Sequence, residues 1–332
     1  MSIPQEQTEA GPLEEFKAMY WQRYSSPMSA CERRLAALAG RPGRTLGESC
    51  GLTLSAGGKR LRPLLVFLST REGAAISENQ QAAAAAVELV HMATLVHDDV
   101  LDGAEMRRGL PTLVSRYGRP VSLAAGDYLF STAFEVLSGT GSAKAVAMLA
   151  SASLGLSRGE LSQMAEARNL ELTREAYIER CTLKTANLFS ASCRLGALFS
   201  GCSDDAVGKL GEFGRCLGLA FQIFDDILDF TGQASRTGKK TGADLRDGTI
   251  TLPLVFALKK DSAISEILKG EPDEEAVSAV CERVAAVGGL DEAREEAVKY
   301  VYRAKDALAA AGGELETGPL ALIASSVVDR DA

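Results

Sequence analysis

The sequence predicts an all-α fold in one large helical domain, residues 13–332, and three observations carry that prediction. No stretch shows strand-like alternation punctuated by hairpin turns. Alanine is abundant while aromatics make up 6% of the chain, a composition suited to closely packed helices. No linker divides the 332 residues, although length alone would favour two domains. The 46% hydrophobic content is enough for a large core. A net charge of −8 and a pI near 5.1 argue against a nucleic-acid binder, which would normally be basic. The seven cysteines (Cys31, Cys50, Cys181, Cys193, Cys202, Cys216, Cys281) are scattered and odd in number, with no CxxC. They read as small buried hydrophobes of a cytoplasmic protein, not as disulfides or a zinc site. The N-terminus has no charged-then-apolar signal pattern. No uninterrupted apolar run reaches the ~18 residues of a membrane span.

Residues 1 to about 12 are polar, with Pro4, Gly11 and Pro12, and read as a disordered tail. A long helix over Leu13–Ala39 follows, ended by the Gly40–Arg41–Pro42–Gly43 turn. A short helix near Thr45–Ser55 leads into Gly57–Gly58–Lys59–Arg60–Leu61–Arg62–Pro63. Glycines and closely spaced cations ahead of an apolar helix have two readings. One is an anion site, where the backbone approaches closely and Lys and Arg supply charge and fork. The other is a basic helix start facing water. The next helix, Ser77–Gly103, is alanine-rich and ends in His97–Asp98–Asp99–Val100–Leu101–Asp102. Arg107–Arg108–Gly109 lie in the loop beyond it. Those arginines either pair with the aspartates or hold the far side of an anion whose near side is on metal. Helices follow near Ser122–Leu137, Ser142–Arg168 and Arg174–Ser200. Lys184–Thr185 sits in the last of these, Lys184 being a snorkelling stem or an anion ligand. The helix Asp205–Phe230 again ends in acid, at Asp225–Asp226–Ile227–Leu228–Asp229. The loop Thr237–Gly238–Lys239–Lys240–Thr241–Gly242–Ala243–Asp244–Leu245 repeats the glycine-and-cation pattern. Helices near Leu252–Lys260, Glu274–Val287, Leu290–Ala311 and Leu315–Val328 complete the chain.

The chemistry concentrates in the two acidic helix ends. Their i, i+4 spacing puts Asp98 and Asp102 on one helical face with Asp99 beside them. Like charges so placed cost about 0.2–0.5 kcal/mol, and Asp is a poor residue for a helix interior. If the two acidic runs faced each other at ~4 Å, each like-charged pair would repel by about 4 kcal/mol at an effective dielectric of about 20. Only cations between them make such a site tolerable. Oxygen-only ligands suit Mg²⁺, which takes a few carboxylates together with water and substrate phosphate oxygens. A single DDxxD reads equally well as a solvated acidic helix end; two copies in matching apolar settings point to a metal site.

In order and spacing, the stretches GGKRLRP, HDDVLD with the following RRG, Lys184–Thr185, FQIFDDILD, the GKKTGAD loop and Thr251–Leu252–Pro253 resemble the trans-type polyprenyl diphosphate synthases. The resemblance spans about residues 50–255. It implies a bundle of antiparallel helices around a central active-site cavity, and a homodimer. It implies an enzyme that condenses isopentenyl diphosphate head-to-tail (1'-4) with an allylic diphosphate. Asp98, Asp99, Asp102, Asp225, Asp226 and Asp229 would bind several Mg²⁺ ions that bridge the allylic diphosphate. Arg107, Lys184 and Lys239 would hold that diphosphate as well. Lys59, Arg62, His91 and Arg108 would hold the diphosphate of isopentenyl diphosphate, and Thr185 and Gln222 would line the carbocation site. In one departure, Thr249 stands where many members have a second lysine. Lys240, where the family often has Pro, is a candidate substitute.

The residues fit this chemistry without the family name. Breaking an allylic C–O bond leaves a cation and a pyrophosphate, and metal ions with fixed cations stabilise the departing charge. No side-chain nucleophile is needed, and none can be assembled from the two histidines. Three rivals are weaker. A class I terpene cyclase would carry Ser or Thr and then Glu in its second metal motif, which this chain lacks. A di-iron bundle needs two Glu-x-x-His motifs, and only Glu88–His91 qualifies. An inactive partner subunit of a two-component prenyl synthase would lack the acidic motifs. Product length is implied by the family's tunnel below the first motif. Ala93 and Thr94 lie about 6–7.5 Å deeper along the helix than Asp98. Short-chain members often carry an aromatic there; both residues here are small. The open floor implies an all-trans product of about C30–C50, of the kind used as quinone side chains. A farnesyl or geranylgeranyl diphosphate synthase is the alternative, with a residue such as Phe134 closing the tunnel instead.

Overall fold

The computed structural model describes residues 11–231 and 241–328. Residues 1–10 of the expected tail lie outside them, as do Lys239 and Lys240. The first helix, α1 (Pro12–Gly40), opens on Pro12, whose missing N–H costs nothing in a first turn, and carries Glu14 and Glu15 at its positive end. After α2 (Arg44–Ser55), the apolar α3 (Leu61–Leu68) is buried almost throughout. The helix α4 (Glu78–Leu101) starts in a capping box. Ser77 Oγ accepts from the Gln80 amide at 3.2 Å, and Gln80 Oε1 accepts from the Ser77 amide at 2.9 Å. Ala82–Ala86 are all buried, and small methyls there let α4 pack closely.

A two-residue ribbon follows, β1 (Met106–Arg107) antiparallel to β2 (Leu110–Pro111). The sequence pointed to no strand here because so short a ribbon has no room for alternation. Its turn is set by Arg108 at φ 51° and Gly109 at φ 76°, the paired positive φ that a tight hairpin requires. The next helix, α5 (Leu113–Ser138), begins earlier than Ser122. Gly118 (φ 77°, ψ 168°) is not helical and parts a short first stretch from the main helix, which starts just after it. Then come α6 (Ala143–Ala165), α7 (Arg174–Cys181), a π-helical turn (Thr182–Ala186) and α8 (Asn187–Phe199). The long α9 (Asp204–Thr231) leads to α10 (Ala243–Arg246), α11 (Leu252–Leu258), α12 (Ser262–Ile267), α13 (Glu274–Ala286), α14 (Gly289–Ala310) and α15 (Thr317–Val328). The short α10 and α12 were not expected.

Among the described residues the fold is all-α apart from that ribbon and one isolated antiparallel bridge between Arg71 and Leu315. Its main packings are α4 on α5, and α9 on both α8 and α14. A Cβ at Gly196 of α8 would fall 2.1 Å from the Val66 carbonyl of α3, so only glycine admits this approach. Phe67, Phe189, Phe213 and Phe224 are fully buried between these helices. Each such side chain contributes about 1.5–3 kcal/mol. Arg60, at φ 46° just before α3, ties three helices together. Its Nε donates to Glu32 of α1 at 2.6 Å and its Nη1 to Glu88 of α4 at 2.9 Å, with Nη2 on the Leu54 carbonyl at 3.1 Å. All seven cysteines are free thiols, and five of them are buried. No helix among the described residues is long and apolar enough to cross a membrane.

Candidate active site

The first acidic motif ends α4. Asp99 is buried, and its Oδ1 accepts from Arg107 Nε at 2.7 Å, so the hairpin after α4 folds back onto the motif. Asp98 is half-buried and Asp102 exposed. Burial pushes the Asp98 carboxyl up to about 7, with Lys184 opposing and Glu160 and Asp102 adding to the rise. Asp102 is raised as well, burial first, with Lys184 and Arg107 opposing and Glu160 and Asp247 adding to the rise. Lys184 is ion-paired to Glu160, and its Nζ donates to Gln163 Oε1 at 3.2 Å. It is therefore neither a stem reaching open water nor a solitary cation; α6 holds it beside the first motif.

Lys184 and Thr185 sit in the π-helical turn that interrupts the helix expected over Arg174–Ser200. The turn is gripped from both sides. A Cβ at Gly159 of α6 would meet the Lys184 amide nitrogen at 2.6 Å, and one at Gly218 of α9 would meet Ala186 Cα at 2.7 Å. Such turns recur at functional sites. Here the turn aims consecutive side chains at different motifs. Lys184 acts on Asp98 and Asp102, while Thr185 Oγ1 donates to Gln222 Oε1 at 2.8 Å on α9.

In the second motif Asp225 is exposed and Asp226 buried. Both Asp226 oxygens accept from the protein: Oδ1 from Gln222 Nε2 at 2.8 Å, Oδ2 from the Tyr177 hydroxyl at 2.6 Å. Burial pushes Asp226 up to about 7, with Tyr177 and Gln222 pulling it down and Asp225 pushing it up. Asp229 accepts from the Ala243 and Asp244 amides at 3.1 and 3.2 Å, which joins the end of α9 to the start of α10. Lys239, expected to hold an anion, lies outside the described residues. Thr249 is half-buried, its amide on the Asp244 carbonyl at 2.8 Å. This stretch is fastened to the bundle by the Arg168 amide on the Gly248 carbonyl at 2.8 Å and by Arg180 on the Ile250 carbonyl.

The basic residues gather around His91. Arg108 donates to the Gly57 carbonyl, and a Cβ at Gly58 would fall 3.0 Å from Arg108 Nη1. The glycine loop thus carries Arg108 against itself, beside exposed Lys59. The Arg62 guanidinium lies over the Phe189 ring at 4.8 Å, and its buried Nε has no hydrogen-bond partner. Burial, opposed by Glu88 and aided by Arg108, lowers Arg62 to about 10. It remains a cation at neutral pH. Burial, then Arg62, Arg108, Arg107 and Arg60, push the His91 imidazole well below its ordinary value. His91 is therefore a neutral hydrogen-bonding group in a positive field suited to an anion. Deeper along α4, Ala93 is wholly buried, and Thr94 turns its Oγ1 back onto the His91 carbonyl at 2.8 Å. Phe134 is half-buried and packs on Phe130, ring centroids 5.6 Å apart.

Sequence reasoning passed over Glu160, Gln163, Tyr177 and Arg180. None lies at a fixed spacing from an acidic run; the one local signal is Gly159 beside Glu160 on an apolar helix. Among the described residues no group of three or more His, Cys, Asp or Glu side chains stands at metal-binding geometry. The donor set nevertheless fits a hard divalent cation. It is all oxygen, and the raised carboxyl of half-buried Asp98 marks a charge that such an ion relieves.

Two acidic helix ends, bridged by adjacent Lys184 and Thr185 and flanked by arginines, define a helical protein of the isoprenoid synthase fold. The chain belongs to the polyprenyl synthetase family, whose model matches residues 44–284. It is a polyprenyl diphosphate synthase, a trans-prenyltransferase. Heptaprenyl diphosphate synthase component 2 of Geobacillus stearothermophilus is 37% identical over 290 residues, covering 87% of this chain and 88% of that protein. A short chain isoprenyl diphosphate synthase of Methanothermobacter thermautotrophicus is 35% identical over 286 residues, covering 84% and 88%. The crystal structure of polyprenyl synthase from Caulobacter crescentus, complexed with calcium and isoprenyl diphosphate, superposes with a TM-score of 0.90. It is 33% identical and covers 98% of this chain and 99% of that one.

Proposed function

We propose that this enzyme uses Mg²⁺ to extend an allylic diphosphate with isopentenyl diphosphate, and that its product is a long all-trans chain of about C30–C50. The observation that carries the reading is the bridge between the motifs: the charge of Lys184 acts on Asp98 and Asp102, while Thr185 is bonded through Gln222 to Asp226. Bound Mg²⁺ supplies charge that stabilises the leaving pyrophosphate. Asp98, Asp99, Asp102, Asp225, Asp226 and Asp229 are its proposed ligands, with Arg107, Lys184 and Lys239 completing the allylic diphosphate site. Arg62, Arg108, Lys59 and neutral His91 hold the second diphosphate and orient its double bond. Thr185 and Gln222 line the place of the carbon that becomes cationic. The working form is a cytoplasmic homodimer; a monomer in analytical ultracentrifugation at micromolar concentration would exclude the dimer.

The long product is supported by the small Ala93 and by Thr94, whose hydroxyl is already bonded to its own helix. Relatives of both lengths are similar to this chain, so a C15 or C20 product is the competing reading, with Phe134 as the stopper. The test is chromatography of dephosphorylated products made with excess isopentenyl diphosphate. Long products from the wild type, shortened by Ala93→Tyr, are expected. A wild type that stops at C15 or C20 overturns the long-chain reading.

A further inference from the structure

Tyr177 has no part in the roles assigned above. It is wholly buried on α7, and its hydroxyl donates to Asp226 Oδ2 at 2.6 Å. Gln222 Nε2 donates to the other oxygen of Asp226 at 2.8 Å, and Gln222 Oε1 accepts from Thr185 at 2.8 Å. The direction of this chain is set at Asp226. With the Tyr177 hydroxyl donating to one oxygen of Asp226, the other oxygen is left as an acceptor, and the side of Gln222 turned towards it is the amide NH₂. The Gln222 carbonyl oxygen must then face Thr185, and the threonine gives it its one hydroxyl proton. The lone pairs of Thr185 remain for whatever lies beside it. Oxygen lone pairs with no proton to offer suit a cation and repel an anion. The tyrosine closes the far end. With donors on both oxygens the Asp226 carboxylate is held against rotation about its terminal bond; with one donor it is free to turn, and the Gln222 amide with it.

We propose that Tyr177 is a positioning residue, which by fixing Asp226 sets the orientation of Gln222 and Thr185 and so makes their side of the site electron-rich where the allylic cation forms. The inference rests on the prenyl-transfer reading above. A merely structural tyrosine hydroxyl would fill a buried polar position and affect only stability. The two roles separate in binding preference for positive charge. Two unreactive allylic diphosphate analogues serve as probes in the presence of Mg²⁺: one with an ammonium nitrogen at the position of the developing cation, and one neutral and isosteric. Calorimetric Kd values are compared as a ratio, in which any change in metal or diphosphate binding cancels. The wild type is expected to prefer the ammonium analogue, and Tyr177→Phe to lose about tenfold of that preference, within the 10–100-fold range of outer-shell substitutions. Asp226→Asn, which puts an N–H donor at the anchor in place of an acceptor and so lets the Gln222 amide flip, is the second variant and should lose the same preference if Tyr177→Phe fails to fold. An unchanged ratio in a folded variant overturns the proposal, whatever happens to its melting temperature. A wild type that binds neither analogue sinks the prenyl-transfer reading instead, so the two failures are distinguishable.

Discussion

Arg60 and Arg62 stand two residues apart in one basic stretch and have different surroundings. Arg60 is enclosed by Glu32, Glu88 and the Leu54 carbonyl, and its side chain is 10% exposed against 3% for Glu88. Arg62 stacks on Phe189 and keeps a buried Nε with no partner. The family resemblance singles out Lys59 and Arg62 as anion ligands but gives Arg60 no separate role, and the residues alone could not supply one, because its acidic partners lie 28 residues away on either side. Arg60→Met would leave Glu88 as an uncompensated buried charge, a loss of about 3–5 kcal/mol. Urea unfolding should show that loss; an unaltered midpoint would mean that Glu88 finds another partner or protonates at little cost. His91 gives a pH signature. Its folded pKa lies well below the ordinary 6.5, through burial first and then the surrounding arginines. Below about pH 6.5 the unfolded chain therefore binds more protons than the folded one. Stability contributed by neutral His91 is present above that pH and is lost as the pH falls towards the folded value. The melting temperature of the wild type should drop between pH 7.5 and 5.5 by more than that of His91→Gln. Parallel curves for the two proteins would remove His91 from the acid response.

At the scale of elements, the long helices were legible and the details that shape the site were not. The expected Leu13–Ala39 differs from α1 by one residue at each end, and Asp205–Phe230 differs from α9 by the same amount. Apolar periodicity and glycine or proline stops are local and survive in one sequence. The π-helical turn is not local. It replaces part of a helix whose residues, Thr182–Ala186, carry no helix breaker, and the glycines that close on it lie on α6 and α9. The positions of α10 and of Asp229 likewise depend on each other across a loop. Gly159→Ala tests the turn. Its methyl would meet Lys184 backbone atoms at 2.6 and 2.9 Å, neither of which can swing aside. Overpacking of this kind typically costs about 1–3 kcal/mol. Because Lys184 moves with its backbone, turnover should fall beyond what the loss of stability explains. If Gly159→Ala keeps full turnover while folded, the grip of α6 on the turn has no functional consequence.

At the scale of the whole molecule, the site gathers charge that the bundle does not need for folding. The acidic ends come from α4 and α9, which reach each other through α8 and the π-helical turn. Sequence spacing supplied the six aspartates; it did not show that Asp226 and Asp229 are bonded to protein donors while Asp98 bears an unrelieved burial cost. Glu160 and Asp102 add to that cost, and among the described residues Lys184 and Arg107 offset it. A cation and a diphosphate bound there should therefore act as a clamp on stability. A ligand at a hundred times its Kd adds about 2.7 kcal/mol to the folded state. Removing the charge at one carboxylate removes the cost and the clamp together. Asp98→Asn is thus expected to melt higher than the wild type in EDTA. With Mg²⁺ and an unreactive allylic diphosphate the order should invert, since the wild type gains most from the ligands. Scanning fluorimetry of both proteins in the two buffers reads the crossing directly. If the wild type melts higher in EDTA as well, Asp98 is already compensated inside the fold, and the first motif does not owe its raised carboxyl to a place kept for a cation.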